Sequence, residues 1–225
     1  MTKTAWIIFI ALSVALLGAL VFVSGQNKLD VSDVNANAVL SGSEASGQIG
    51  DHVYGNKDSK VLLIEYGDFQ CPGCASAYPT VQTVKEEYKE DMAFVFRNFP
   101  LTSIHPHALV AAASAEAAAR QGKYWQMHDV LYTSQQEWSQ ASASDRSVIF
   151  EQYARDAGLD VNRFKEDLAD PEITKKINFD LALGKEQGAE STPTFILNGR
   201  ILSQDEWSSE EALKKAIDAE IKKQQ

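Results

Sequence analysis

Apolar residues fall into three regimes along this 225-residue chain, and each predicts a different kind of structure. Residues 5–23 are uncharged and almost wholly apolar. Residues 24–50 are rich in Ser, Gly, Asn, Asp and Ala with no sustained period, and from Asp51 onward short apolar runs alternate with amphipathic stripes. In this third regime 61–66 (VLLIEY) reads as a buried strand, with Val53-Tyr54 as a short edge strand before it. Cys74, Ala77, Val81, Val84 and Tyr88 then recur at offsets of three and four, which predicts a helix over 72–89. Pro72 suits its first position, where a missing N–H costs nothing, and Pro79 should kink it. A second strand, 93–96, is stopped by Asn98 and Pro100. A long helical stretch follows: 107–121 closed by Gly122, a face of Tyr124, Trp125, His128, Leu131 and Tyr132, then 145–157 closed by Gly158. Asp160 and Asp170 read as N-caps, and after Pro171 the residues Ile173, Ile177, Leu181, Gly184 and Gly188 share one face. The chain returns to β at 194–197 and 200–202, joined by Asn198-Gly199, a pair that favours a two-residue type I′ turn. A closing helix, 208–223, carries Ser208 and Glu211 at capping-box spacing, with Leu213, Ala216, Ile217 and Ile221 inward.

The first regime has the length of a membrane span. At ~1.5 Å per residue it covers about 28 Å, against a hydrocarbon core of ~30 Å. It also exceeds the roughly 7–15 apolar residues of a signal peptide. It therefore reads as one uncleaved transmembrane helix over 1–23, with cleavage near Val23-Ser24-Gly25 as the alternative. Lys3 and the amino terminus precede it, and Asp30 and Asp33 outweigh Lys28 after it, so the positive-inside rule puts the rest of the chain outside the cytoplasm. Residues 24–50 read as a flexible linker and 51–225 as one domain.

A formal charge of −10 and a pI near 4.9 exclude the basic footprint that nucleic acid requires and a polybasic grip on anionic lipid. The chemistry concentrates elsewhere. Cys71 and Cys74 are the only two cysteines, set two residues apart between a predicted strand and a predicted helix. Strand, C-x-x-C, helix is the thioredoxin-like redox arrangement. At a helix start, unpaired N–H groups and the positive end of the macrodipole stabilise a thiolate, so Cys71 should be acidic and exposed at the tip, with Cys74 on the buried stripe. Two other readings stay open: an inert disulfide, though so short a loop is a poor staple, and structural zinc, though His52, His105, His107 and His128 lack finger-like spacing.

The order β, α, β, long helical block, β-hairpin, α describes an α/β thioredoxin fold with a helical insertion over about 105–190. With Glu65-Tyr66-Gly67-Asp68-Phe69-Gln70-Cys71-Pro72-Gly73-Cys74, Arg97-Asn98-Phe99-Pro100-Leu101, His105-Pro106-His107 and Thr192-Pro193-Thr194-Phe195, the chain from Asp51 onward resembles the DsbA family of extracytoplasmic thiol–disulfide oxidoreductases, especially its membrane-anchored members. The resemblance implies that Cys71 exchanges disulfides with substrate and Cys74 resolves the mixed disulfide. It implies that Pro193 is cis and faces the pair, leaving Thr192 to bind an extended substrate segment beside Pro72 and Gly73, and that Glu65 is the buried acid beneath the cysteines. It implies exported proteins with free cysteines as partners, a quinone-linked membrane reoxidase, and no cofactor. One departure stands out: strong oxidants of the family carry histidine where this chain has Gly73, which puts a strongly oxidising potential in question.

Read from the residues alone, Glu65 is either a buried proton relay or a strand-end glutamate reaching water, and Pro193 is either cis or a trans proline opening a strand. His105 and His107 suit a helix-entry loop better than a metal, and His128 suits a hydrogen-bonded core position better than a ligand. Trp125, Tyr132 and Phe179 read as core before they read as a peptide groove. The residues and the resemblance together predict disulfide introduction outside the cytoplasm. A reductase or isomerase would use the same residues in reverse, and a binding module or holdase would carry the C-x-x-C as a vestige.

Overall fold

The computed structural model describes residues 29–224, together with Trp6, Phe9, Ile10, Leu12 and Ser13, which are helical. The expected membrane-spanning segment otherwise lies outside the described residues, and no helix among the described residues is long and apolar enough to cross a membrane. From Val31 onward the chain forms one compact unit.

Its centre is a five-stranded sheet built from β1 (Val53–Gly55), β2 (Leu62–Gly67), β3 (Ala93–Asn98), β4 (Thr194–Leu197) and β5 (Arg200–Ile201), in the order β1-β3-β2-β4-β5. β2 and β3 are parallel, a pairing that needs a crossover, and α1 (Pro72–Glu87) supplies it, continuing through Pro79. β1 pairs antiparallel with β3 and β4 with β2, and β4 turns into the edge strand β5 through Asn198 and Gly199 at φ +46° and +82°, the positive values a type I′ turn requires.

The period-2 alternation of β2 decides what lies where. Leu62, Ile64 and Tyr66 pack with Val95, Ile196, Phe179 and Leu183 on one face. Leu63 packs with Phe94, Phe195, Val81 and Val84 on the other, beneath α1 and the closing helix α9 (Glu210–Lys222), and Glu65 shares the side of Leu63. Between β3 and β4 lie α2 (Ala108–Ala119), α3 (Tyr124–Thr133), α4 (Gln135–Gln140), α5 (Ala143–Asp156), α6 (Val161–Leu168) and α7 (Pro171–Glu186). Their core is continuous with the sheet end that holds Phe69, Cys71, Cys74 and Phe96. Tyr132 and Phe179 are buried and Trp125 is half-buried, so these three are core positions.

Two expectations need correction. Residues 31–50 are not a flexible linker. Val31, Ala36 and Ser46 are buried, and the carbonyls of Ala36 and Ala38 accept hydrogen bonds of 2.7 and 2.9 Å from the buried Arg97 guanidinium. The physical reason is that this strap is held largely through its backbone, which leaves no side-chain period to read. The closing helix also starts later than its spacing suggests. Ser203 and Glu206 form the capping box of a short helix, α8 (Gln204–Trp207), and Ser209 rather than Ser208 caps α9 by accepting from Ala212 N–H. Asp160 and Asp170 cap α6 and α7 as expected.

Candidate active site

The end of β2 delivers a turn, 68–71, that is clamped on several sides. The buried Asp68 carboxylate accepts from the N–H groups of Gln70 and Leu101 and lies against His105 Nδ1, each at 2.8 Å. Gln135 Nε2, at the start of α4, donates to the carbonyls of Phe69 (2.8 Å) and Cys71 (3.0 Å), and Gln70 Oε1 accepts from His107 N–H at 2.7 Å. The insertion therefore holds the turn from which the cysteines project.

Cys71 is the N-cap of α1, with Pro72 opening the helix. Contrary to the expectation of an exposed tip, only 7% of Cys71 is accessible, because the turn folds it under the 192–193 segment, while Pro72 and Gly73 form the exposed lip. Both cysteines are free thiols, and Cys71 Sγ donates to the Thr192 carbonyl at 3.3 Å. The Thr192–Pro193 bond is cis. A Cβ placed on Gly73 would lie 3.3 Å from Pro193 Cδ and 3.5 Å from Cys71 Sγ, so Pro193 faces the C-x-x-C across a gap that glycine keeps open.

The two sulfurs differ sharply in acidity. A hydrogen bond from the Cys74 thiol, reinforced against burial by the Cys74 and Gly73 N–H groups, holds Cys71 down at about 5. Burial, the Cys71 sulfur and the Glu65 carboxylate push Cys74 well above the usual thiol range. Beneath them Glu65 is 3% accessible, which removes the water-reaching alternative, and burial raises it to about 8 in spite of Lys85.

Lys85 was not singled out from the sequence, although its place four residues after Val81 on the apolar stripe of α1 is the signal that could have found it. Its side chain is 1% accessible. The ammonium lies 4.5 Å from the Trp125 ring centroid, 4.6 Å from that of Tyr54 and 3.5 Å from Asp129 Oδ1, and burial lowers its proton affinity. His128 is a core histidine ringed by Phe69, Phe96, Trp125 and Tyr132. Its Nδ1 lies 2.9 Å from Asp129 Oδ1, and burial lowers it to about 4. Cys71, Cys74, Pro72, Gly73, Thr192 and Pro193 thus meet at one sheet end, with Glu65 below. Asp68, Lys85 and Gln135 complete the site and were missed. His105 and His107 are engaged with the turn, and among the described residues no three His, Cys, Asp or Glu side chains gather as a metal site needs.

Comparison with known proteins gives a family and a fold. The sequence matches the Thioredoxin family over residues 48–219. It is 40% identical over 150 residues to a Na(+)/H(+) antiporter NhaA 3 of Salinispora tropica, covering 67% of this chain but only 22% of that protein. The chain thus spans under a quarter of the length of the curated relatives it matches. Among solved structures, a thioredoxin-like oxidoreductase from Silicibacter pomeroyi superposes with a TM-score of 0.63 at 27% identity, covering 76% of this chain and 92% of that one. Alpha-DsbA1 from Wolbachia pipientis superposes with a TM-score of 0.65 at 22% identity, covering 77% and 92%.

Proposed function

This chain belongs to the thioredoxin family, and we propose that it is a DsbA-like thiol–disulfide oxidoreductase that introduces disulfides into exported polypeptides through Cys71 and Cys74. The observation that carries the reading is the split between the two sulfurs: Cys71 is held at about 5, while Cys74 is pushed well above the thiol range over the buried Glu65.

From the oxidised pair, a substrate thiolate attacks Cys71 Sγ. The Cys71–Cys74 bond breaks, and Cys74 leaves with the proton that Glu65 carries at neutral pH. A second substrate thiolate then attacks the substrate sulfur of the mixed disulfide, forming the substrate disulfide and releasing Cys71 as a thiolate. Two electrons have passed to the protein, and a quinone-linked membrane reoxidase withdraws them. A low-pKa Cys71 is the better leaving group and stabilises the reduced form, so both effects favour donating the disulfide. The missing histidine at Gly73 is offset here by hydrogen bonds from the Cys74 thiol and from the N–H groups of the helix N-terminus. The Thr192 backbone beside Pro193 pairs with an extended substrate segment, Pro72 and Gly73 contact it, and no cofactor takes part. The N-terminal apolar segment tethers the domain on the extracytoplasmic side.

Equilibration with glutathione buffers tests the direction. A potential above about −180 mV is expected, one near the roughly −270 mV of a thioredoxin would assign a reductase instead, and a pair with no fast-reacting thiol would leave only the binding module.

A further inference from the structure

Asp129 sits on α3, in the insertion, yet every group it touches beyond its own helix belongs to α1, the helix that starts at Cys71. Its Oδ1 lies 3.5 Å from Lys85 Nζ and 2.9 Å from His128 Nδ1, and its Oδ2 accepts from Gln82 Nε2 at 3.3 Å. Among the described residues it is the one carboxylate within ion-pair distance of Lys85. The other groups facing that ammonium are the rings of Tyr54 on β1, Phe94 on β3 and Trp125 on α3, together with His128 on α3, Glu65 on β2 and Glu86 on α1, while the Tyr78 hydroxyl on α1 hydrogen-bonds the Asp129 carboxylate. Glu86 is exposed and already engaged by Lys89 and the Tyr54 hydroxyl. Asp129 is also one-third accessible, so this counter-ion reaches water while the cation it balances does not.

On the basis of the function proposed above, we infer that Asp129 is a positioning residue for the C-x-x-C: it keeps Lys85 charged, and through Lys85 it sets how firmly Glu65 holds the proton that serves Cys74. The chain of causes is electrostatic at each link. Burial drives Lys85 toward its neutral form, and Asp129 is the largest influence opposing that drive. Lys85 is in turn the one group that eases ionisation of Glu65, and Glu65 acts on Cys74. An exposed ion pair would be screened, but Lys85 is buried, so its charge is felt across the site. The insertion thereby tunes the acid–base balance of a site whose reacting atoms all belong to the thioredoxin core.

The test is the pH profile of exchange between the reduced protein and oxidised glutathione, measured for the wild type, Asp129→Asn, Asp129→Glu, Lys85→Met and the Lys85→Met/Asp129→Asn double variant. Asparagine keeps hydrogen-bonding capacity toward His128 and Gln82 but removes the charge. The inflection belonging to Glu65 should move upward by half a pH unit or more in Asp129→Asn and return in Asp129→Glu. It should not move further in the double variant than in Lys85→Met alone. A lower unfolding midpoint with an unmoved inflection would make Asp129 a packing residue and overturn the inference, as would additive shifts in the double variant. Titration of the Glu65 carboxyl by carbon-13 NMR is the second readout, with the same shifts expected. If the wild type exchanges no disulfide at all, the functional reading fails while the NMR titration still decides the role of Asp129.

Discussion

Two buried charge clusters lie on opposite faces of the same pair of strands, and they behave in opposite ways. On the face of Tyr66 and its partner Arg97, the guanidinium bonds Asp51 through both Nε (3.2 Å) and a terminal nitrogen (2.8 Å). Lys176 lies 2.7 Å from Asp180 and 3.4 Å from Asp51, while Glu116 takes His52 at 2.8 Å and Asn98 at 2.7 Å. Burial there is overcome by partners at every charge but Asp180, which burial still raises in spite of Lys176. Asp51 and Glu116 are held below the usual carboxylate range by Arg97 and His52 respectively, and Arg97 and Lys176 hold their protons more firmly than usual beside Asp51 and Asp180. On the face of Glu65, burial wins: the acid rises to about 8 and Lys85 is lowered. Similar burial thus yields mostly well-held charges where ionic partners are close and a titrating site where they are sparse. The first arrangement suits a structural clasp, the second proton transfer.

The largest effect should appear on the sparse face. In reduced protein at pH 6, Cys71 is mostly thiolate and Cys74 scarcely ionised. Iodoacetamide should therefore modify Cys71 at least about a hundredfold faster, even allowing for the lower intrinsic reactivity of an acidic thiol. Peptide mapping of the labelled protein checks this, and equal labelling would remove the distinction between the sulfurs. Next, Lys176→Met should cost about 3–5 kcal/mol in urea unfolding, because Asp180 and Asp51 are left buried with too few cations. If it costs less than 1 kcal/mol, the clasp is no clasp.

The third effect is one of slope. A raised Glu65 contributes stability that is complete below its unfolded value of 4.5 and is lost as pH rises through about 8. Cys71, depressed from 9.0 to about 5, acts in the opposite sense, adding stability over much of the same window as its thiolate forms. In the reduced protein the two nearly cancel. With both cysteines changed to serine, unfolding free energy should fall from pH 5 to pH 8 by up to about 1.4 kcal/mol per unit, and Glu65→Gln should flatten that fall. A flat profile before the glutamine change would mean that Glu65 ionises freely. Smallest of all, Lys85→Met should alter stability by no more than about 1 kcal/mol, since it replaces a poorly paired buried cation with an apolar side chain of similar length. A loss as large as that of Lys176→Met would erase the contrast between the faces.

These contrasts were only partly legible in the sequence. The strands, the hairpin and the C-x-x-C helix announce themselves because alternation, a 3.6-residue stripe and Asn198-Gly199 are local signals. The burial of Glu65 was left open, because strand alternation shows which side a residue takes and not whether water reaches it. Lys176 looks like an ordinary solvated lysine and Lys85 differs only by its place on an apolar stripe, so the packing of Trp125 and Tyr54 over one, and of Asp51 and Asp180 around the other, is what tells them apart. Asp51 comes from the start of the domain and Asp180 from the far end of the insertion, a juxtaposition no local pattern encodes. The strap was hidden for a related reason: its composition is that of a tether, and what fixes it is a guanidinium on β3 reaching carbonyls about sixty residues away in sequence.

The recess around Cys71 carries a consequence for timing. With 7% of the residue accessible between the lip at Pro72-Gly73 and the Thr192 carbonyl, a partner's sulfur must arrive on a chain thin enough to enter edge-on. On the proposed function, a cysteine on an unfolded chain should therefore reach this sulfur more readily than one on the rigid surface of a finished domain. Access to the sulfur would then discriminate by how far the substrate has folded, favouring cross-linking before compaction closes around the thiols.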